Sequence, residues 1–221
     1  MIGELLPPSV ATAWRTDDTE PVTLFPEEEA FIARAVDKRR REFSTVRLCA
    51  RDALSRLGLP GTPLVPGRRG APAWPEGVVG TMTHCAGYRA AALARATEVV
   101  SLGVDAEPVG PLPDGVLDVV SLPEERHHLA GLDASHPEVP WDRVLFSAKE
   151  SVFKTWYPLT RKELDFTEAE VRFAPESGTF TARLLVAGPV VGERRLEEFT
   201  GRWLVRGGLV LTGIVVLRDG A

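Results

Sequence analysis

The stretch VVSLGVDAEP, residues 99–108, is an apolar run that ends in two acidic residues. Two other short apolar runs precede it, VVGTMTH at 78–84 and YRAAALARA at 88–96, and Gly87 and Glu98 separate the three. Short apolar runs bounded by glycine and charged residues are typical of β-strands. We therefore predict three adjoining strands that form a small sheet around this stretch.

The two acids at the end of this stretch would face the same way in a strand. Side chains at positions i and i+2 point to one face, so Asp105 and Glu107 project together, whereas Ala106 turns away and offers only its carbonyl. Magnesium is commonly held by one or two carboxylates, with water and substrate phosphate completing the shell. The pair therefore indicates a magnesium site for a phosphate-bearing substrate. The alternative is a solvated turn.

Helices are predicted before this sheet. From Pro26 the chain reads PEEEAFIARAVDKRRREFSTVRLCARDALSRLGL, with proline and three acids at a helix start and Gly58 with Pro60 at a stop. We expect two consecutive helices here. Residues 60–77 hold five prolines and four glycines, which is typical of a loop.

The second half of the chain repeats the order of helix followed by sheet. In PWDRVLFSAKESVFKTWYPL, four apolar residues recur at three- and four-residue steps and predict a core-facing helix that stops at Pro158; they are Leu145, Ala148, Val152 and Trp156. Alternating runs at 169–175 and 179–186 predict strands, and Gly207 with Gly208 predicts a hairpin turn. We expect an α+β fold of two similar halves, residues 1–108 and 109–221. Each half would be a small, mostly antiparallel sheet packed with a long helix, with a ligand cleft between the halves.

Bulk properties exclude several classes of protein. The chain has 221 residues and a net charge of −5, so its overall field does not favour nucleic acid. No stretch is apolar and long enough to span a membrane, and the first residues do not resemble a secretory signal. Two cysteines give neither a disulfide framework nor metal-ligand spacing. We expect a cytoplasmic, monomeric protein.

The helix that contains FSAKESVFK carries a charged pair on the face opposite its apolar stripe. Glu150 and Lys154 stand four residues apart and share one face. One interpretation is a surface ion pair, which contributes only about 0.3 to 0.5 kcal/mol. The other is that Glu150 supplies a third carboxylate to the metal while Lys154 meets a phosphate or a developing negative charge.

Basic residues are concentrated in DKRRREFSTVRLCAR, residues 37–51. One lysine and five arginines fall within it, namely Lys38, Arg39, Arg40, Arg41, Arg47 and Arg51. Such a run is often a solvated face. In an acidic chain, however, the clustering predicts an anion site, because guanidinium groups bind phosphate oxygens two at a time.

His84 and Cys85 follow the apolar run at 78–84. A lone histidine at the end of a strand is often a structural residue, and adjacent strand residues point to opposite faces. His84 therefore does not activate the thiol of Cys85, and we interpret Cys85 as a small apolar residue.

Four ordered stretches resemble motifs of the 4′-phosphopantetheinyl transferases of the larger, two-half type, especially those acting in siderophore, polyketide and nonribosomal peptide assembly. GVDAEP resembles the family's G-[IV]-D-x-E motif, and FSAKESVFK resembles its F-[SC]-x-K-E-[SA]-x-x-K motif. KRRREFSTVR and THCAGYRAAALA resemble its upstream elements. Together they span roughly residues 36–160 in the family's order.

The resemblance implies a role for each site residue. The metal, magnesium or alternatively manganese, would be held by Asp105, Ala106 through its carbonyl or a water, Glu107 and Glu150. Catalysis would involve Asp105, Glu150 and Lys154. Coenzyme A would be bound by Arg39, Arg47, Arg68, Arg69, Gly70, Thr83, His84, Asp105, Lys149, Glu150 and Lys154. Many relatives carry lysines in the nucleotide loop, where this chain has PGRRGAP, residues 66–72.

The implied reaction moves the phosphopantetheine arm of coenzyme A onto a serine of an apo acyl- or peptidyl-carrier protein and releases adenosine 3′,5′-bisphosphate. The alternative within enzymology is another magnesium-dependent nucleotide transferase or hydrolase, which needs the carboxylates but no carrier surface. A noncatalytic module that binds an acidic partner through its arginine helix is the other alternative. That module leaves Asp105, Glu107 and Glu150 unexplained.

Overall fold

The computed structural model describes residues 1–67 and 70–218. The fold is α+β, as the sequence predicts, with two antiparallel sheets that each pack against one long helix, and a small two-stranded sheet. The helices of the described residues are α1 Pro26–Ile32, α2 Asp37–Arg56, α3 Val116–Val120, α4 Pro123–Ser135 and α5 Trp141–Thr160. The strands are β1 Ala11–Arg15, β2 Val78–Cys85, β3 Tyr88–Arg95, β4 Val99–Pro108, β5 Ala169–Ala174, β6 Thr179–Leu184, β7 Val190–Val191, β8 Arg194–Arg195, β9 Glu198–Arg206 and β10 Leu209–Leu217.

The first sheet has three strands in the order β1–β3–β2. A two-residue turn joins β2 to β3, and Gly87 there has a φ of +75°, a left-handed conformation that favours glycine. Helix α2 packs against β1 and β3, with Ala50 and Ala53 in one core with Leu93. Both predicted helices, α1 and α2, are confirmed.

The second sheet has five strands in the order β4–β10–β9–β6–β5. Helix α5 packs against β4 and β10. The apolar stripe predicted for this helix is confirmed as core, because all four of its members are buried: Leu145, Ala148, Val152 and Trp156. The predicted hairpin at Gly207 and Gly208 is also confirmed, since it joins β9 to β10.

Strand β4 joins the second sheet, so the prediction of one sheet formed by three adjoining strands is wrong. β4 pairs with β10 along most of its length, whereas it contacts β2 without a backbone ladder, the Thr81 hydroxyl accepting from Val104 N–H at 3.4 Å. The reason is that β10 supplies the backbone hydrogen-bond partner of β4 from about 100 residues further along the chain, a pairing that no local pattern signals. The division of the chain at residue 108 stays a prediction.

Gly103 explains how β4 lies so close to α5. A Cβ built on this glycine would stand 2.2 Å from the Ser151 carbonyl oxygen and 2.5 Å from Thr155 Oγ1, so a side chain does not fit. The backbones of the strand and the helix therefore approach closely at this point. This contact brings Asp105, two residues later, beside α5.

Helix α5 continues past Pro158 to Thr160, so the predicted stop at the proline is wrong by two residues. Pro158 lies in the last turn, where the missing N–H removes one hydrogen bond without ending the helix. The helix ends where Arg161 adopts a left-handed conformation and donates its N–H to the Tyr157 carbonyl at 2.8 Å.

Across residues 1–67 and 70–218, no helix combines the length and the apolar character needed to cross a membrane. The two longest helices of the described residues, α2 and α5, have 20 residues each, and each packs against one of the two larger sheets. They flank the space between the sheets from two sides.

Candidate active site

A cavity of about 860 Å³ lies between α2, β2, β4 and α5. The loop between α2 and β2 forms a further wall with Pro66, Gly67 and residues 70–74. Six of the predicted site residues line the cavity: Arg39, Arg47, Gly70, His84, Glu150 and Lys154. The predicted contacts of Arg68 and Arg69 lie outside the described residues.

The centre of the site is an ion pair between β4 and α5. Lys154 Nζ lies 2.7 Å from Asp105 Oδ1 and also donates to the Val104 carbonyl at 3.2 Å. Thr83 on β2 donates its hydroxyl to the same Asp105 oxygen at 3.2 Å and accepts from Ala106 N–H at 3.3 Å. Three elements therefore fix the aspartate, and the lysine connects it to the cavity.

Asp105 retains one unused oxygen. The residue is 4% exposed, and its Oδ2 is buried without a hydrogen-bond partner among the described residues. A buried carboxylate oxygen without a partner is costly, because it has lost its water. A cation bound at this oxygen would remove that cost.

The pKa shifts of Glu107 and Glu150 also favour a bound cation. Burial raises the pKa of Glu107, and the charge of Asp105 raises it further against the opposing effect of Arg143. Burial also raises the pKa of Glu150, with Lys154 opposing and Asp105 adding to the shift. A divalent cation would favour the charged form of both groups. Carboxylate oxygens are also the ligands that magnesium prefers in proteins.

The carboxylates are not assembled as a finished metal site. Within residues 1–67 and 70–218, no three His, Cys, Asp or Glu side chains are grouped so as to hold a metal ion. Asp105 pairs with Lys154, and Glu107 Oε2 pairs with Arg143 Nη1 at 3.2 Å. Ala106 is buried in the core, and its predicted carbonyl role stays a prediction. Metal binding would have to draw these carboxylates together.

Arg39 and His84 meet at the open side of the cavity. Arg39 Nη1 lies 3.1 Å from His84 Nε2. Because a guanidinium can only donate, the histidine nitrogen accepts, so the ring is neutral in this contact. Partial burial lowers the pKa of His84, and the charge of Arg39 lowers it further. The pair leaves most of the arginine's donors for an anion.

Arg47 has a structural contact that the sequence does not reveal. It is 5% exposed, and its Nε and Nη2 donate to the Leu64 carbonyl at 3.2 and 3.1 Å. Its guanidinium lies 3.3 Å above the centre of the Phe43 ring. Burial lowers the pKa of Arg47 to about 10, while the charge of Glu28 opposes the shift. Arg47 thus anchors the loop as well as lining the cavity.

Lys149 lies away from the main cavity, and its predicted contact with the coenzyme stays a prediction. Its ammonium lies 2.8 Å from Glu125 Oε2 and donates to the carbonyls of Phe166 and Ala169 at 2.6 and 2.8 Å. Lys149 and Glu125 are both buried, and Lys149 does not line the main cavity. It is committed to joining α5, α4 and the segment before β5, because a buried cation needs these partners.

Several cavity residues were missed in the sequence. Glu42 stands three residues after Arg39 on α2, and Phe153 and Tyr157 stand three and seven residues after Glu150 on α5. Helical spacing from the charged residues could have found all three. The contact of Arg143 with Glu107 spans 36 residues, so no local pattern signals it.

Comparisons with known proteins agree with these features. Residues 27–94 match the model of the 4′-phosphopantetheinyl transferase N-terminal domain, and residues 101–203 match that of the 4′-phosphopantetheinyl transferase superfamily. The chain is 65% identical over 219 residues to 4′-phosphopantetheinyl transferase Svp of Streptomyces mobaraensis, covering 98% of this chain and 89% of that protein. It is 46% identical to PptT of Mycobacterium tuberculosis, with 98% of each chain covered, and 47% identical to Npt of Nocardia iowensis, with 97% of this chain and 99% of that protein covered. The chain therefore belongs to the 4′-phosphopantetheinyl transferase superfamily.

Proposed function

We propose that this enzyme transfers the phosphopantetheine arm of coenzyme A onto a serine of an apo acyl- or peptidyl-carrier protein. The other product is adenosine 3′,5′-bisphosphate. The observation that carries the proposal is the ion pair of Lys154 with the buried Asp105 beside the cavity, both within the residues that match the superfamily model. The names of the relatives, all 4′-phosphopantetheinyl transferases, support the same activity. They do not favour a nucleotide hydrolase or a noncatalytic module.

We assign the nucleotide end of coenzyme A to the wall formed by α2 and the loop. Arg39 and Arg47 line that wall, and guanidinium groups suit the 3′-phosphate. Gly70 has a φ of +73° and lies in the same wall, so a ligand can approach the backbone there. Thr83 and His84 would contact the coenzyme's phosphates near Lys154.

Asp105, Glu107 and Glu150 would hold the magnesium ion. The ion would neutralise charge on the pyrophosphate of coenzyme A. The unpartnered Oδ2 of Asp105 and the raised pKa values of the two glutamates support this assignment.

The chain's own residues supply the remaining requirements of the reaction. The serine oxygen attacks the β-phosphorus, the bond from that phosphorus to the bridging oxygen breaks, and adenosine 3′,5′-bisphosphate leaves with the electron pair. Lys154 would stabilise the charge that grows on the leaving pyrophosphate oxygens. Glu150 would take the serine proton, directly or through a water.

The test is to mix the protein with coenzyme A, magnesium and a panel of apo acyl- and peptidyl-carrier proteins, and to weigh the carriers by mass spectrometry. A phosphopantetheinyl mass gain on a carrier, lost when its serine is replaced by alanine, is the expected result and identifies the partner. Turnover of the nucleotide with no gain on any carrier would favour the hydrolase instead. The monomeric state and cytoplasmic location also stay predictions; light scattering tests the first and cell fractionation the second.

A further inference from the structure

Glu28 is a buried acid in a helix start that is otherwise exposed. It is the middle one of three consecutive glutamates in α1, and it is 0% exposed, whereas Glu27 and Glu29 are both exposed. Burying a carboxylate is costly unless it is paired and hydrogen-bonded. The surroundings of Glu28 must therefore compensate the charge.

The carboxylate of Glu28 joins three segments of the chain. Its Oε1 accepts from Leu64 N–H at 2.9 Å, and its Oε2 accepts from Phe25 N–H at 3.0 Å. Arg51 on α2 forms a salt bridge with Oε2 and also donates to the Thr23 carbonyl at 2.8 Å. Glu28 thus connects the start of α1, the middle of α2 and the loop that follows α2.

Leu64 anchors the loop that follows α2. Its side chain is fully buried in the core beneath α2. Its N–H is bound by Glu28, and its carbonyl accepts both hydrogen bonds from Arg47. Two residues later, Pro66 begins the part of the loop that walls the cavity. The positions of the wall and of the Arg47 guanidinium therefore both depend on Leu64.

We propose that Glu28 is a positioning residue for the nucleotide half of coenzyme A. Glu28 does not itself line the cavity. Through Leu64 it holds the start of the nucleotide wall and the guanidinium of Arg47 in place. This inference rests on the proposed function, because it takes the ligand of that wall to be the adenosine 3′,5′-bisphosphate portion of the coenzyme.

The position of Glu28 determines which step should suffer when it is changed. Glu28 acts on the α2 side of the cavity, whereas Asp105 and Lys154 lie on the side formed by β4 and α5. Loosening the loop should therefore weaken nucleotide binding and leave phosphoryl transfer intact. A merely structural role would instead lower the melting temperature and the active fraction, with unchanged affinity in the molecules that fold.

The test uses Glu28→Gln, with Glu29→Gln as its matched control. The amide keeps the shape but directs its NH2 either at Leu64 N–H or at both Phe25 N–H and Arg51, so buried donors face each other in either orientation. Glu29 is exposed, and its partner is Arg40 at the surface. Calorimetric titration with adenosine 3′,5′-bisphosphate should show a Kd raised about tenfold in Glu28→Gln and a parent value in the control. The KM for coenzyme A should rise equally, with kcat at saturation unchanged.

Amide hydrogen exchange gives a second readout. The amide of Leu64 should be protected in the parent, and in Glu28→Gln it should exchange faster while the amides of β3 do not. If Glu28→Gln fails to fold, Arg51→Lys tests the same link, because it keeps the charge but loses the guanidinium geometry; we expect a Kd raised about threefold.

Two outcomes separate this inference from the proposed function. The role of Glu28 would be overturned if folded Glu28→Gln bound adenosine 3′,5′-bisphosphate as tightly as the parent does. If Glu28→Gln does not fold, the same result in Arg51→Lys would overturn it. In both cases the parent protein would still modify its carrier. Failure of the parent protein to modify any carrier would overturn the proposed function instead.

Discussion

Helices α2 and α5 have the same length and each packs against one sheet, yet they give the cavity different chemistry. Helix α2 contributes two arginines, Arg39 and Arg47, whose contacts are a neutral histidine and a backbone carbonyl. Helix α5 contributes Glu150 and Lys154, and Lys154 is paired with the buried Asp105 of β4. The first arrangement leaves positive charge for an anion. The second couples carboxylates to an ammonium where we propose that the reaction occurs.

From this difference we propose that the α2 side of the cavity binds the coenzyme and that the side of β4 and α5 performs the transfer. Substitutions on the α2 side should therefore raise the KM for coenzyme A. Substitutions on the side of β4 and α5 should lower kcat, because they remove interactions that strengthen in the transition state.

The largest effect is expected for Asp105→Asn. The change removes a proposed magnesium ligand and leaves the ammonium of Lys154 without its carboxylate. We expect kcat to fall about 10³-fold with the melting temperature little changed. Initial rates at saturating coenzyme A and magnesium measure this. A rate close to that of the parent would contradict the proposed catalytic role of Asp105 on β4.

Lys154→Gln should lower kcat about 10²-fold and leave the KM for coenzyme A within about threefold of the parent. The reason is that the lysine is proposed to stabilise charge that develops only as the bond breaks. Lys162→Gln is the matched control, since Lys162 is an exposed lysine just beyond α5. If Lys154→Gln raises KM alone, the lysine is a ground-state contact and belongs with the binding side.

Glu150→Gln tests whether Glu150 is a proton acceptor or only a metal ligand. An amide oxygen can still bind magnesium but cannot accept a proton at neutral pH. We expect a loss of about 10²-fold in kcat that saturating magnesium does not restore. Transfer rates across a magnesium titration decide this, and recovery to near the parent rate would leave the base to water.

The smallest effect is expected on the α2 side. Arg39→Gln should raise the KM for coenzyme A about tenfold and change that for dephospho-coenzyme A much less, because a charge-assisted contact to the 3′-phosphate is lost. Arg41→Gln, an exposed arginine of the same helix that does not line the cavity, is the control. Equal losses for both coenzymes would place Arg39 away from the 3′-phosphate.

Local patterns in the sequence predict the elements of the fold well but not their partners. The stripe on α5 and the hairpin before β10 follow from spacing and turn residues, and both are confirmed. The pairing of β4 with β10 depends on residues about 100 positions apart. The sequence instead predicts that β4 pairs with the strands next to it in the chain, and that prediction is wrong. The sequence predicts a stop at Pro158, because it does not show that the last turn of this helix tolerates the loss of one hydrogen bond.

The candidate site shows the same limit. Helical spacing places Glu150 and Lys154 on one face, and both do line the cavity. Lys149 belongs to the same motif, but its partner Glu125 lies on another helix. Only the structure therefore shows that the ammonium of Lys149 forms a buried ion pair. The contacts of Glu28 with Leu64 and Arg51 are likewise long-range, so no local pattern signals them.

Single-turnover transfer at saturating coenzyme A, measured side by side for Arg39→Gln and Lys154→Gln, tests the division between binding and chemistry most directly. The account predicts that Arg39→Gln reaches the parent rate once the coenzyme is saturating, while Lys154→Gln stays about 10²-fold slower. An Arg39→Gln rate that stays slow at saturation, or a Lys154→Gln rate that recovers, would contradict it.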